Sequence, residues 1–191
     1  GEGPRVLRWM LQPGWSYAAV RDAWTPFEAL RAPDPLRRRE VAFLLLVCFL
    51  LQASHGPYYA FYTIYLESYG YSRGLIGQLW ALGVVAEIGV FLVMHRWMPR
   101  FGPRRLMLAT VALTTLRWLL IAAFTSPAII LGSQIFHAFS YGTFHMASIL
   151  YMDRLTPGPA KTLGQAVNNA VSYGLGLMVG FFFNGYLYEI S

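Results

Sequence analysis

Charge is scarce in this sequence. Only 13% of its 191 residues are Asp, Glu, Lys or Arg, and 56% are hydrophobic; soluble domains carry roughly a quarter charged residues. The mean hydropathy is +0.43. The few charges stand between long apolar runs that a water-soluble fold of this length could not hide, which points to a membrane. Cysteine is nearly absent too. The single thiol, Cys48, lies inside an apolar run, which excludes a disulfide framework and a paired-cysteine metal site. Acidic residues are fewer than basic ones, giving a net charge of +6. The arginines sit at the ends of apolar segments, where membrane topology accounts for them, so nucleic acid is not expected as a partner. An initiating methionine and a cleavable signal peptide are also lacking. The chain opens Gly1-Glu2-Gly3-Pro4, which suggests processing or an excised fragment.

What is present divides at about residue 40. Residues 1–40 mix Pro4, Pro13, Pro26, Pro33 and Pro35 with charges and with Trp9, Trp15 and Trp24. They read as a cytoplasmic linker, part of it lying along the headgroups; residues 6–11 are weakly amphipathic. Residues 41–191 read as an all-α bundle with spans at 41–66, 75–97, 106–124, 128–151 and 163–187, each near the roughly 20 residues that cross a hydrocarbon core. Arg37, Arg38 and Arg39 precede the first span. Arg96, Arg100, Arg104 and Arg105 separate the second from the third, and Arg154 and Lys161 the fourth from the fifth. The opposite side offers only Arg73, so the arginine-rich end is expected in the cytoplasm.

A short motif recurs. Gln52, His55 and Tyr59 in the first span match Gln134, His137 and Tyr141 in the fourth at constant offset, and Gly77-Gln78 matches Gly164-Gln165. The two histidine-bearing spans run in opposite directions, as in the inverted repeats of secondary transporters.

Ionisable side chains inside spans are costly, at least ~2.5–3.5 kcal/mol for Asp or Arg, and are functional candidates for that reason. His55 and Glu87 fall roughly 18 Å below the outer ends, His137 roughly 15 Å and Arg117 roughly 10–12 Å, so the four can share a layer. Glu87, in Leu82-Gly83-Val84-Val85-Ala86-Glu87-Ile88-Gly89-Val90, has no polar neighbour in sequence. It is either a coupling carboxyl or one half of a static pair with Arg117, and Glu87 is the expected partner of Arg117. His55 precedes Gly56-Pro57, where a break or kink of the first span is expected. His137, Tyr141, His145 and Ser148 follow helical spacing and form one polar stripe. The histidines either line a pathway or simply hydrogen-bond neighbouring helices. Of Asn168 and Asn169 only one can face the cavity, and Gly174, Gly176 and Gly180 suit close helix packing. His137 and His145 are two turns apart without a thiol or carboxylate, so neither a metal nor another cofactor is expected. No nucleophile–base arrangement suggests an enzyme.

The run Ser54-His55-Gly56-Pro57-Tyr58-Tyr59-Ala60-Phe61 resembles the seventh helix of a major facilitator superfamily group, that of the 3-phenylpropionate permease and nucleoside:proton symporter-like proteins. Gly83-Val84-Val85-Ala86-Glu87, Leu116-Arg117-Trp118 and Gln134-Ile135-Phe136-His137 with His145 are similar to its eighth, ninth and tenth helices. Pro99-Arg100-Phe101-Gly102-Pro103-Arg104-Arg105 resembles the superfamily's loop motif, with Pro99 in place of an Asp. The resemblance covers about residues 41–190. It implies helices seven to eleven of a twelve-helix carrier in a bacterial inner membrane, needing a complementary half. It also implies proton-coupled movement of an aromatic carboxylate or a nucleoside by alternating access. The pathway would use His55, Glu87, His137, Tyr141, His145 and Asn168, with Arg117 as the supporting charge. The rival expectation is a non-transporting membrane scaffold or assembly subunit with a carrier-derived fold.

Overall fold

The computed structural model describes residues 35–190; residues 1–34 and Ser191, and with them most of the expected linker, lie outside the described residues. Among the described residues every regular element is helical. A 3-10 turn, Pro35–Arg37, leads into α1 (Arg39–Ser68), α2 (Arg73–Phe101), α3 (Pro103–Ala123) and α4 (Pro127–His137). A π-helical turn, Ala138–Gly142, carries α4 on into α5 (Thr143–Leu155). The last rod is α6 (Ala160–Asn169), a π-helical stretch Ala170–Gly176, and α7 (Leu177–Ile190).

The helix starts follow local chemistry. The Ser72 side chain accepts from the Leu75 amide at 3.3 Å, capping α2. Pro103 and Pro127 occupy first-turn positions, where their missing N–H costs nothing. The basic connection expected around residues 96–105 is almost entirely helical. Only Gly102, at φ 74°, separates α2 from α3, and a side chain would strain that backbone.

Among the described residues four rods are long and apolar enough to cross a membrane: Arg39–Ser68, Arg73–Phe101, Pro103–Ala123 and Ala160–Ile190. The fifth expected span coincides with α4, the π turn and α5. His137, Ser140, Tyr141, His145 and Ser148 make that rod too polar to qualify alone, and it buries most of them against its neighbours. The other rods turn large apolar side chains outward, among them Phe43, Leu92 and Phe182, as a hydrocarbon solvent permits.

Two apolar clusters bracket a polar layer. Val41, Leu44, Cys48, Met94, Met107 and Met152 belong to the one nearer the arginine-rich end. Tyr58, Tyr62, Leu66, Ile76, Leu79 and Ile130 form the other. At the arginine-rich end Asp153 accepts from Lys161 and from Gln165, both at 2.7 Å, tying α5 to α6. The Lys161 ammonium holds the Asp153 carboxyl below the usual carboxylate range.

The expected break at Gly56-Pro57 does not occur: α1 is helical from Arg39 to Ser68 with Pro57 inside it. Proline cannot donate to the carbonyl one turn earlier, which here is Ala53's. That oxygen instead faces the backbone of Gly180, and a Cβ on Gly180 would collide with it. A Cβ on Gly56 would in turn lie 2.6 Å from the Gly180 carbonyl carbon. The last rod therefore packs against α1 at the point where proline weakens it, backbone against backbone. Gly176 and Gly180 do act as packing glycines; Gly174 meets nothing within 4 Å.

Candidate functional site

The polar layer is assembled from α1, α2, α3 and the α4–α5 rod. Glu87 of α2 accepts from His137 Nε2 at 3.0 Å. The His137 side chain is 5% exposed and that of Glu87 21%, so the carboxylate forms the open side of the pair. Val84, Val85 and Ile88, its sequence neighbours, point away into the surroundings. The His137 ring stacks on Tyr141 at 5.2 Å and lies 4.9 Å from Tyr58 and 5.6 Å from His55.

His55 is fully buried. Its Nδ1 donates to the Leu51 carbonyl at 2.8 Å. A carbonyl can only accept, so this bond sets the tautomer and leaves Nε2 an acceptor. Neither His55 Nε2 nor His137 Nδ1 has a hydrogen-bond partner among the described residues. The two matched motifs thus meet in space. They also cross over: Gln52 donates to the Tyr141 hydroxyl at 3.4 Å, while Gln134 accepts from Tyr58 at 2.7 Å and donates to Tyr62.

Arg117 does not pair with Glu87. Its Nε donates to the Ser133 carbonyl at 3.0 Å, and its guanidinium lies 4.3 Å from the Tyr58 ring centre and 4.5 Å from that of Trp118. Each such cation–π contact is worth about 2 kcal/mol or more when desolvated. Helix rotation explains the correction: α2 turns Glu87 toward α4, and α3 turns Arg117 under Tyr58. Both terminal nitrogens of Arg117 are buried without a partner among the described residues.

The expected stripe on the fourth span is divided. The π turn at Ala138–Gly142 lies between His137 and His145, and the extra residue rotates the remainder of the rod by roughly one 100° step. His145 consequently faces the last rod, where its Nδ1 hydrogen-bonds the Tyr173 hydroxyl. Asn168 is buried as well and accepts from Ser172 at 3.3 Å, while Asn169 is exposed. Asn168, His145, Tyr141 and Tyr173 share a small chamber with Gln52 and Ser148. His55, Glu87, His137 and Tyr141 therefore form one cluster, and His145 and Asn168 another beside it. Sequence reasoning missed Tyr58, Trp118, Gln134 and Tyr173 as site members. Gln134, three residues before His137 as Gln52 is before His55, carried the one usable signal.

A family model described as "MFS_1 like family" matches residues 28–191. The chain belongs to that family. It is 32% identical over 185 residues to the "Probable 3-phenylpropionic acid transporter" of Escherichia coli (strain K12), covering 96% of this chain and 47% of that protein. It is 28% identical to "Sugar efflux transporter C" of the same organism, over 72% of this chain and 36% of that one. An "Uncharacterized transporter YwbF" of Bacillus subtilis (strain 168) is 22% identical over 76% of this chain and 36% of its own length. The chain thus spans half or less of the length of these curated relatives. No solved structure matches it. The expected resemblance to the C-terminal half of a major facilitator carrier holds, in a multi-pass membrane protein whose relatives are transporters rather than enzymes.

Proposed function

We propose that the chain is part of a proton-coupled secondary transporter that moves a small organic solute by alternating access, with Glu87 as the coupling carboxyl. One observation carries the reading: the 3.0 Å Glu87–His137 contact, its carboxylate partly open and the imidazole closed off behind it. Among the described residues Glu87 is the only acid in the middle of a rod. Protonating it discharges the acceptor of that contact and frees His137, so the proton and the packing of α2 against α4 are linked. Of the two solute classes the resemblance implies, an aromatic carboxylate fits better. The relative named for 3-phenylpropionic acid supports it, as do the rings of Tyr58, Tyr59 and Tyr141 around His137, with Trp80 stacked on Tyr59, and the buried cation of Arg117. The complementary half of the carrier and the lipid bilayer are the partners, and the arginine-rich end faces the cytoplasm of a bacterial inner membrane.

Vesicles holding the chain with its complementary half test this. Glu87→Gln keeps shape and hydrogen bonding but cannot titrate. Proton-driven accumulation of 3-phenylpropionate should collapse, while exchange at equal pH on both sides falls far less. Accumulation at the parent level removes Glu87 from coupling. A carrier that assembles but moves no solute supports the scaffold reading instead. Orientation is checked with single cysteines at Ser126 and Arg100 in a background lacking Cys48: an impermeant thiol reagent should reach the first from outside intact cells and not the second.

A further inference from the structure

The chamber on the arginine-rich side of the His55–His137 cluster has no role in the reading above. Gln52, Tyr141, His145, Ser148, Asn168 and Tyr173 line a cavity of about 10 Å³ there, space for about one water molecule. Gln52 is 3% exposed; its Nε2 is engaged by Tyr141, and its Oε1 is buried without a partner among the described residues. A water needs such an acceptor together with neighbouring hydroxyls. Tyr141 and Tyr173 line the same cavity as Gln52, so a water held there can bridge their two hydroxyls. Tyr173 completes the series by hydrogen-bonding His145 Nδ1. Groups able both to accept and to donate a proton thus run from the ring stacked on His137 to a half-buried imidazole on the arginine-rich side.

We propose that Tyr141, Tyr173 and His145, with one water held at Gln52 Oε1, form a proton exit joining the Glu87–His137 pair to the arginine-rich end of the bundle. This rests on the proton-coupled reading of Glu87. The proton released by the Glu87 carboxyl passes to the Tyr141 oxygen, which gives up its own proton through the water at Gln52 to the Tyr173 oxygen. Tyr173 gives its proton to His145 Nδ1. The resulting imidazolium loses its Nε2 proton to water at the arginine-rich end. One proton enters and one leaves, no heavy-atom bond changes, and rotation of the hydroxyls with a tautomer change at His145 resets the path. The site can then discharge its proton on that side without opening to it.

Tyr173→Phe removes one hydroxyl and leaves the ring in place. In the vesicle assay the ratio of proton-driven accumulation to exchange should fall, on the order of a hundredfold for a lost positioned proton carrier. Replacing water by D₂O should slow accumulation by the parent more than exchange. His145→Gln, which keeps a hydrogen-bond partner for Tyr173 but cannot carry a proton through, should reproduce the fall, so a folding defect in one variant leaves the other decisive. An unchanged ratio in either well-folded variant overturns the exit. If Glu87→Gln abolishes accumulation while Tyr173→Phe leaves the ratio alone, coupling at Glu87 stands and the exit falls. If Glu87→Gln accumulates normally, the coupling reading itself fails.

Discussion

Helix α1 has two faces built in opposite ways. Toward α7 it offers Ala53 and Gly56, against which Gly180 leaves no room for even a methyl group. Toward α3 and α4 it offers His55, Tyr58 and Tyr62, large polar rings held by side-chain hydrogen bonds and ring contacts to Gln134, Arg117 and His137. In a membrane, association relies on close packing and interhelical hydrogen bonds, because lipid is as apolar as the side chains. The glycine face uses the first and the polar face the second. A backbone contact has one geometry, whereas rings and amides can rotate and exchange partners. The difference assigns the glycine face to holding the bundle together and the polar face to changing state.

The sharpest way to break this comparison is to widen the glycine face. Gly180→Leu places a branched side chain where a Cβ alone would strike Ala53. Overpacking typically costs about 1–3 kcal/mol, occasionally more, and with backbone on both sides the cost here should reach or exceed about 3 kcal/mol. Detergent-induced unfolding of reconstituted protein, followed by circular dichroism, reads this directly. A near-normal midpoint would mean that α1 and α7 separate easily.

Next in size is Arg117, where two replacements separate two accounts. Arg117→Ala should cost about 2–5 kcal/mol, the usual range for opening a cavity at a buried site. Arg117→Met refills most of the volume and removes the charge. It loses two desolvated cation–π contacts, about 2 kcal/mol each, but also the cost of a buried membrane charge, about 2.5–3.5 kcal/mol. Those changes offset, so Arg117→Met should unfold within about 1 kcal/mol of the parent. A much larger loss would restore the Arg117–Glu87 pair as the dominant contact, because breaking a buried ion pair costs about 3–5 kcal/mol.

That pair shows where sequence stops informing. Depth along a helix follows from counting residues, so the sequence puts His55, Glu87, Arg117 and His137 within reach of one layer. Rotation about the helix axis does not follow, because packing sets it, and rotation decides that Glu87 meets His137 while Arg117 meets Tyr58 and Trp118. The recurring Gln-x-x-His pattern was legible and did bring His55 and His137 together. The π turns were not legible: helical periodicity assumes a constant phase, and Ala138–Gly142 alters it between His137 and His145. Pro57 misled for a related reason. Its missing donor was visible, but not the glycine on a distant rod that lets the helix continue.

A smaller effect tests the polar face. Tyr58→Phe keeps the ring over Arg117 and removes only the hydrogen bond to Gln134. Interhelical hydrogen bonds in membranes average about 0.6 kcal/mol, so the unfolding midpoint should move only slightly. A loss above about 1.7 kcal/mol, the upper end measured for such bonds, would mean that this network is as rigid as the glycine face.

The smallest effect lies within the glycine stripe itself. Gly174 and Gly176 are two residues apart on the same π-helical stretch, yet a Cβ at Gly176 would lie 2.9 Å from the Phe49 carbonyl oxygen, and one at Gly174 would meet nothing within 4 Å. Gly174→Ala adds a methyl group to open space. Its cost should stay within about 0.5 kcal/mol, as for substitutions away from packed features, and the better helix propensity of alanine pulls toward stabilisation. Gly176→Ala pushes against a backbone oxygen and should be clearly destabilising in the same unfolding measurement. Finding the two alike would mean that the stripe works through glycine's backbone freedom. Finding them different ties its effect to the one or two positions where the helices touch.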